Sequence, residues 1–108
     1  MNDIIVSPDE QTFNEEVLKS DKLVLVEFWT TWCSTCKMLL PIISCIKNKY
    51  NNKLKIVKVN VDENIDIVLE YEVMSVPTVL AFKKGKKVAS ITGVRSKKIF
   101  EEMVKKYI

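Results

Sequence analysis

Residues 22–29, Lys-Leu-Val-Leu-Val-Glu-Phe-Trp, form an almost continuous apolar run. A strand with one wet face alternates apolar and polar residues. This run has no polar face to offer to water. It therefore reads as a strand buried on both sides, of the kind found in the middle of a parallel sheet. One residue breaks the pattern, Glu27, and its carboxylate is expected to be buried with the strand.

The rest of the chain supplies the partners for such a strand. Ile4–Val6 reads as a short strand. Thr12 followed by Glu15 makes a capping box, which predicts a helix from Phe13 to about Lys19. Ser7-Pro8-Asp9-Glu10 offers a rival start, but the later one puts Phe13, Val17 and Leu18 on one face. After residue 33, Leu39, Ile42, Ile43, Ile46 and Tyr50 recur at helical spacing, and Pro41 inside that pattern predicts a kink. "LKIVKVNV" is a third strand and "IDIVLEYE" a short helix. "TVLAF" and "KVASITG" are two strands joined at "KKGK" as a hairpin, with Gly85 in the turn. Ser96 caps a last helix, with Ile99, Phe100, Met103 and Val104 inward. The order is βαβαβαββα: parallel strands in the first half, antiparallel ones from the hairpin.

The length of 108 residues suits one domain spanning 1–108. A chain of this size buries roughly two thirds of the surface its unfolded form exposes. With 47% hydrophobic residues it builds a core without metals or disulfides. The net charge of +3 says little about partners. Lys83, Lys84, Lys86 and Lys87 read as a solvated turn, and the C-terminal lysines as a solvated helix face. A nucleic-acid surface needs a stronger basic stripe with suitable aromatics, so no nucleic acid is expected. No segment approaches the ~20 apolar residues of a membrane span, and the N-terminus lacks the pattern of a signal peptide. A cytoplasmic protein with no membrane partner is expected. In that compartment a Cys-x-x-Cys pair is more often catalytic or metal-binding than structural.

The pair is Cys33 and Cys36, between the buried strand and the following helix. A zinc or iron–sulfur site wants four ligands. The chain has three cysteines and no histidine, and Cys45 lies about half a turn out of phase with Cys36, so no metal is expected. A structural staple closing so short a loop yields only about 2 kcal/mol. A redox pair fits the local physics. Residues i and i+3 of a first helical turn come within disulfide range. Cys33 at the helix N-terminus has its thiolate stabilised by free N–H groups and the positive end of the helix dipole, with Lys37 adding charge. Cys36, inside the turn, is the more shielded. Cys33 is then the nucleophile and Cys36 the resolving thiol.

At this point the chain resembles the thioredoxin family over nearly its whole length. "VEFWTTWCSTCKMLLPI" is similar to the family's active-site segment, "VNVDEN" and "VPT" to its third strand and proline loop, and "FKKGK" and "TGV" to its hairpin and the turn before the last helix. The resemblance implies an α/β fold with a five-stranded mixed sheet sandwiched between helices. It implies a monomer that needs no bound cofactor and reduces disulfides in partner proteins. Electrons would come from a thioredoxin reductase that uses NADPH and flavin. Pro77 is implied to be a cis-proline beside the cysteines, with the backbone at Val76 pairing with the substrate chain. Trp32, Val76, Pro77 and Gly93 would form the apolar surface that receives extended segments.

Two departures from the family pattern matter. Ser34-Thr35 replaces the usual Gly-Pro, and both hydroxyls are placed to donate to a Cys33 thiolate. That stabilises the reduced form and predicts a more oxidising pair. Glu27 stands where the family has an aspartate. Burial raises its pKa, which suits a proton acceptor for Cys36, through water, with Lys58 as its partner across the strands. Cys45 is expected to be a packed or half-exposed free thiol.

Overall fold

The computed structural model describes the backbone of residues 4–6 and the whole of residues 9–108. Five strands form one sheet: β1 (Ile4–Val6), β2 (Leu23–Trp29), β3 (Leu54–Asn60), β4 (Thr78–Lys83) and β5 (Lys86–Thr92). Their spatial order is β1-β3-β2-β4-β5, so the apolar run is the central strand. β3 lies parallel to both β1 and β2, β4 is antiparallel to β2, and β5 is antiparallel to β4. The four helices are α1 (Glu10–Phe13, continuing as a π-helical turn over Asn14–Leu18), α2 (Ser34–Tyr50), α3 (Ile65–Glu70) and α4 (Lys97–Tyr107).

Side chains alternate across β2, so its two faces enter two separate cores. Leu23 and Leu25 pack with Leu39, Ile43 and Ile46 of α2 and Phe100, Met103 and Val104 of α4. Val24, Val26 and Phe28 pack on the other face with Phe13, Val17 and Ile67 from α1, the π-turn and α3. Helices on both faces are what a strand with no polar side requires.

Two local expectations are corrected. The first helix starts at Glu10, not Phe13. Asp9 is its N-cap, and its side chain accepts from the Thr12 N–H at 2.7 Å. Capping by Asp9 lengthens the helix by most of a turn and still buries Phe13 and Val17. Ser7 and Pro8 of the rival start lie outside the described residues, as does Met1–Asp3. In α4, Ile99 is 45% exposed. It lies about 100° round the helix from Phe100, at the edge of the stripe that Phe100, Met103 and Val104 define. Lys47, on the buried side of α2, is 5% exposed, because its ammonium donates to the Asn51 carbonyl at 2.7 Å and caps the end of the helix. Pro41 lies on the exposed side of α2, which continues through it from Ser34 to Tyr50.

Candidate active site

The C-terminal ends of β2 and β3 and the start of β4 meet at one edge of the sheet, since Phe28 pairs with both Val59 and Thr78. The turn from Thr30 to Cys33 leaves this edge. Thr30 is buried and organises it: its carbonyl accepts from the Cys33 N–H at 3.3 Å, and its hydroxyl accepts from the Trp32 N–H at 3.5 Å. The sequence reading passed over Thr30. A hydroxyl bonding the backbone two residues on is a recognised turn signal, and it was present in "WTTWC".

Cys33 is the N-cap of α2 and is disulfide-bonded to Cys36, with a Cα–Cα distance of 5.3 Å. Its sulfur accepts from the Cys36 N–H at 3.1 Å and lies 3.3 Å from the Thr35 hydroxyl. The helix N-terminus therefore solvates this sulfur with a free backbone donor and a side-chain donor. Ser34 is exposed and makes no hydrogen bond to the sulfur, so only one of the two expected hydroxyls is in place. The expected contrast in shielding is also small: Cys33 is 7% exposed and Cys36 4%. The cysteines differ in surroundings rather than in cover. Cys36 lines a cavity of about 160 Å³ together with Glu27, Trp29, Lys37 and Lys58; Cys33 does not.

Glu27 is 1% exposed, and neither carboxylate oxygen has a hydrogen-bond partner. Loss of water raises its pKa from the ordinary 4.5 to about 7, against the pull of the Lys58 charge. Lys58 is the register partner of Glu27 on β3. Its ammonium does not bond Glu27 but sits over the Trp29 ring, 5.1 Å from the centroid. The expected partnership is thus one of field rather than of contact. Trp29 Nε1 is also buried without a partner.

The other sequence-selected residues lie at this same end of the sheet, where β2 and β5 end and β4 begins. The Val76–Pro77 bond is cis. The Pro77 carbonyl accepts from the Gly93 N–H at 2.8 Å, which ties the proline loop to the end of β5. Gly93 has φ +84°, and nothing lies within 4 Å of where a Cβ would stand. Its backbone angle, not close packing, requires glycine. Val76 is half-buried, while Trp32 is 76% exposed. Met74, two residues before Val76, is 94% exposed and went unnoticed in the sequence, where nothing separates it from a core methionine. Cys45 is an exposed free thiol, 3.6 Å from the Lys97 ammonium and on a different part of α2. Among the described residues, no three Cys, Asp or Glu side chains converge to hold a metal.

This arrangement can form and break one disulfide, with a solvated sulfur at the helix start and a buried carboxylate of raised pKa in the cavity that Cys36 lines. Comparison with known proteins agrees. The thioredoxin family model matches residues 4–106. Thioredoxin 1 of Nostoc sp. is 40% identical over 99 residues, 92% of each chain. Thioredoxin of Rickettsia bellii is 44% identical over 95 residues, 88% of this chain and 90% of that one. A chloroplastic M-type thioredoxin of Chlamydomonas reinhardtii is 40% identical over 100 residues, 93% of this chain and 71% of that one. With sequence match and site geometry pointing the same way, the chain belongs to the thioredoxin family and is a thiol–disulfide oxidoreductase that reduces protein disulfides.

Proposed function

We propose the following division of labour. Cys33 is the nucleophile: its thiolate attacks one sulfur of a partner's disulfide, and the partner's other sulfur leaves as a thiolate that takes up a proton. Cys36 is the resolving thiol. It gives its proton, through water in the shared cavity, to the Glu27 carboxylate, and its thiolate attacks the Cys33 sulfur. The Cys33–Cys36 bond forms, the partner leaves as a dithiol, and two electrons have passed to it. The observation that carries this reading is the asymmetry of the pair: donors surround the Cys33 sulfur, and a buried carboxylate with a pKa of about 7 shares a cavity with Cys36. A group poised near neutral pH is suited to take a proton and later release it. The same cavity is roomy enough for bridging water.

Lys58 tunes Glu27 from β3. Trp32, Val76, the cis Pro77 and Gly93 receive an extended substrate segment, with Ser34 and Thr35 at its edge. The chain works as one domain and as a monomer, without a bound cofactor, in the cytoplasm, and serves electron transport and redox homeostasis. A thioredoxin reductase, drawing on NADPH through flavin, returns Cys33–Cys36 to the dithiol.

The direct test is trapping with single variants. Cys36→Ser should accumulate a mixed disulfide between Cys33 and a substrate protein, visible by non-reducing electrophoresis. Cys33→Ser should form none and lose turnover. Trapping by Cys33→Ser instead would reverse the two roles.

A further inference from the structure

The end of the sheet opposite the cysteines carries the second feature that the sequence dispersed and the fold collects. Lys53 precedes β3, whose first residue Leu54 is in register with Leu23. Beside Leu23, β4 ends at Lys83, and Lys84-Gly85 turns the chain into Lys86 at the start of β5. This turn packs on the end of the π-turn: a Cβ on Gly85 would stand 2.9 Å from the Leu18 carbonyl, which sets Lys19 beside Lys84. α4 starts beside Cys45 in the second half of α2 and runs on with Glu101 against Tyr50, so Lys105 and Lys106 close its end away from the cysteines. Lys19, Lys53, Lys84, Lys86, Lys105 and Lys106 are all exposed. Asp21 sits among them. Glu16 and Glu101 are already engaged, by Lys55 and Lys49. The carboxylates of Asp9, Glu10, Asp62, Glu63 and Asp66 line a hollow between the starts of α1 and α3, at the cysteine end.

We propose that this basic end docks on the anionic surface of a lipid bilayer, leaving the dithiol facing the aqueous side. Charge complementarity with a broad plane is what the feature offers. The lysines come from the ends of separate elements and so lie across one end of the molecule, not along a groove. They are point charges on flexible stems, whereas arginine is the residue that forks onto phosphate and base edges. The single arginine of the chain, Arg95, follows Gly93 at the other end. Of the large exposed apolar side chains among the described residues, Ile108 belongs to this end, and Trp32 and Met74 lie at the other. The aromatics at this end, Tyr50 and Tyr107, are half-buried against the core with a lysine over each ring, so they offer no open stacking face, and among the described residues this end has no Trp or Arg. The molecule measures 30 × 30 × 25 Å, several times the ~8 Å over which salt screens exposed charges, so the acidic hollow does not cancel the basic end. Attachment of this kind is peripheral and salt-sensitive. It needs no spanning segment, and among the described residues no helix is long and apolar enough to be one.

The test is co-sedimentation of the full chain with vesicles of phosphatidylcholine alone, or with about a third phosphatidylglycerol, at low and at high salt. Binding is expected only to the anionic vesicles, with release at high salt. Lys84→Glu with Lys86→Glu should cut partitioning about tenfold or more. Lys97→Glu with Lys98→Glu, the same charge change at the start of α4 beside Cys45, should reduce it far less. Vesicle-bound protein should still reduce a soluble disulfide protein. The idea is overturned by no pelleting with anionic vesicles at low salt, or by equal loss in both double variants. Release from the vesicles by an equal phosphate load of poly(U) would also overturn it and assign the end to RNA. Bound protein that cannot reduce its substrate would show the cysteine end against the bilayer, which defeats the proposed orientation while leaving the redox roles intact.

Discussion

The two faces of β2 are built from adjacent residues and yet do different things. One face presents Val24, Val26 and Phe28, all buried among apolar side chains. The other begins in the same manner, with Leu23 and Leu25, and then places Glu27 where a third aliphatic would complete the pattern. A change of one side chain in a strand of alternating direction affects one core and leaves the other closed. The comparison teaches that the site is a local exception made inside a stable core. The rigid face supports the strand, and the excepted face carries a carboxylate whose unpartnered burial destabilises the fold at neutral pH and brings its pKa to about 7.

Breaking the closed face should have the largest effect on stability. Phe28→Ala removes a fully buried ring and should cost about 3–5 kcal/mol, read as a lower denaturation midpoint. The difference between wild type and Glu27→Gln in pH dependence should persist in that background. If the ring and the carboxylate acted as one unit, that difference would vanish with the ring.

Neutralising the excepted face is next. Glu27 has a pKa of about 7 folded against an ordinary 4.5. Below pH 4.5 both states are protonated and the residue contributes no pH dependence. Between 4.5 and 7 the folded state holds the extra proton, so stability falls as pH rises, and above 7 the full penalty of about 3 kcal/mol is present. Glu27→Gln should therefore become progressively more stable than wild type across that window and level off above it. Its disulfide-exchange turnover should fall, with the pH dependence near 7 lost. A variant that keeps the wild-type pH profile would remove Glu27 from the proton path.

The smallest effect belongs to Thr35, which touches the Cys33 sulfur from α2 and not from the sheet. Thr35→Val should destabilise the thiolate by about 1 kcal/mol and lower the reduction potential by roughly 20 mV, with the pH dependence of stability unchanged. Ser34→Ala, which removes a hydroxyl that reaches no sulfur, should move the potential less. Equal shifts in the two variants would mean that the hydroxyls act through the helix backbone and not through the sulfur.

Much of this architecture was legible residue by residue. The run at 22–29 identified the central strand because an all-apolar strand has only one place to go. The cysteine spacing, the absence of histidine and the strand before the pair were enough to favour redox chemistry over metal. Glu27 announced its burial by interrupting the run. What stayed hidden was which of two capping residues wins, because Asp9 and Thr12 both sit at plausible starts and differ only in how their side chains reach the backbone. Hidden too were the equal cover of the two sulfurs, the idle Ser34 and the exposed Met74, each of which depends on neighbours distant in sequence.

By itself the sequence determined what is local and periodic: element types, the buried faces of β2 and α2, and the cysteine pair at a helix start. Hydrophobic periodicity and dihedral preference act over a few residues and can be read along the chain. The tertiary structure decided whatever requires distant segments to meet. It put Glu27 and Cys36 on one cavity, turned Lys58 to the Trp29 ring, tied Pro77 to Gly93, and drew lysines from four separate segments to one end. Such contacts depend on strand order and register, and those are fixed only when the whole core packs at once.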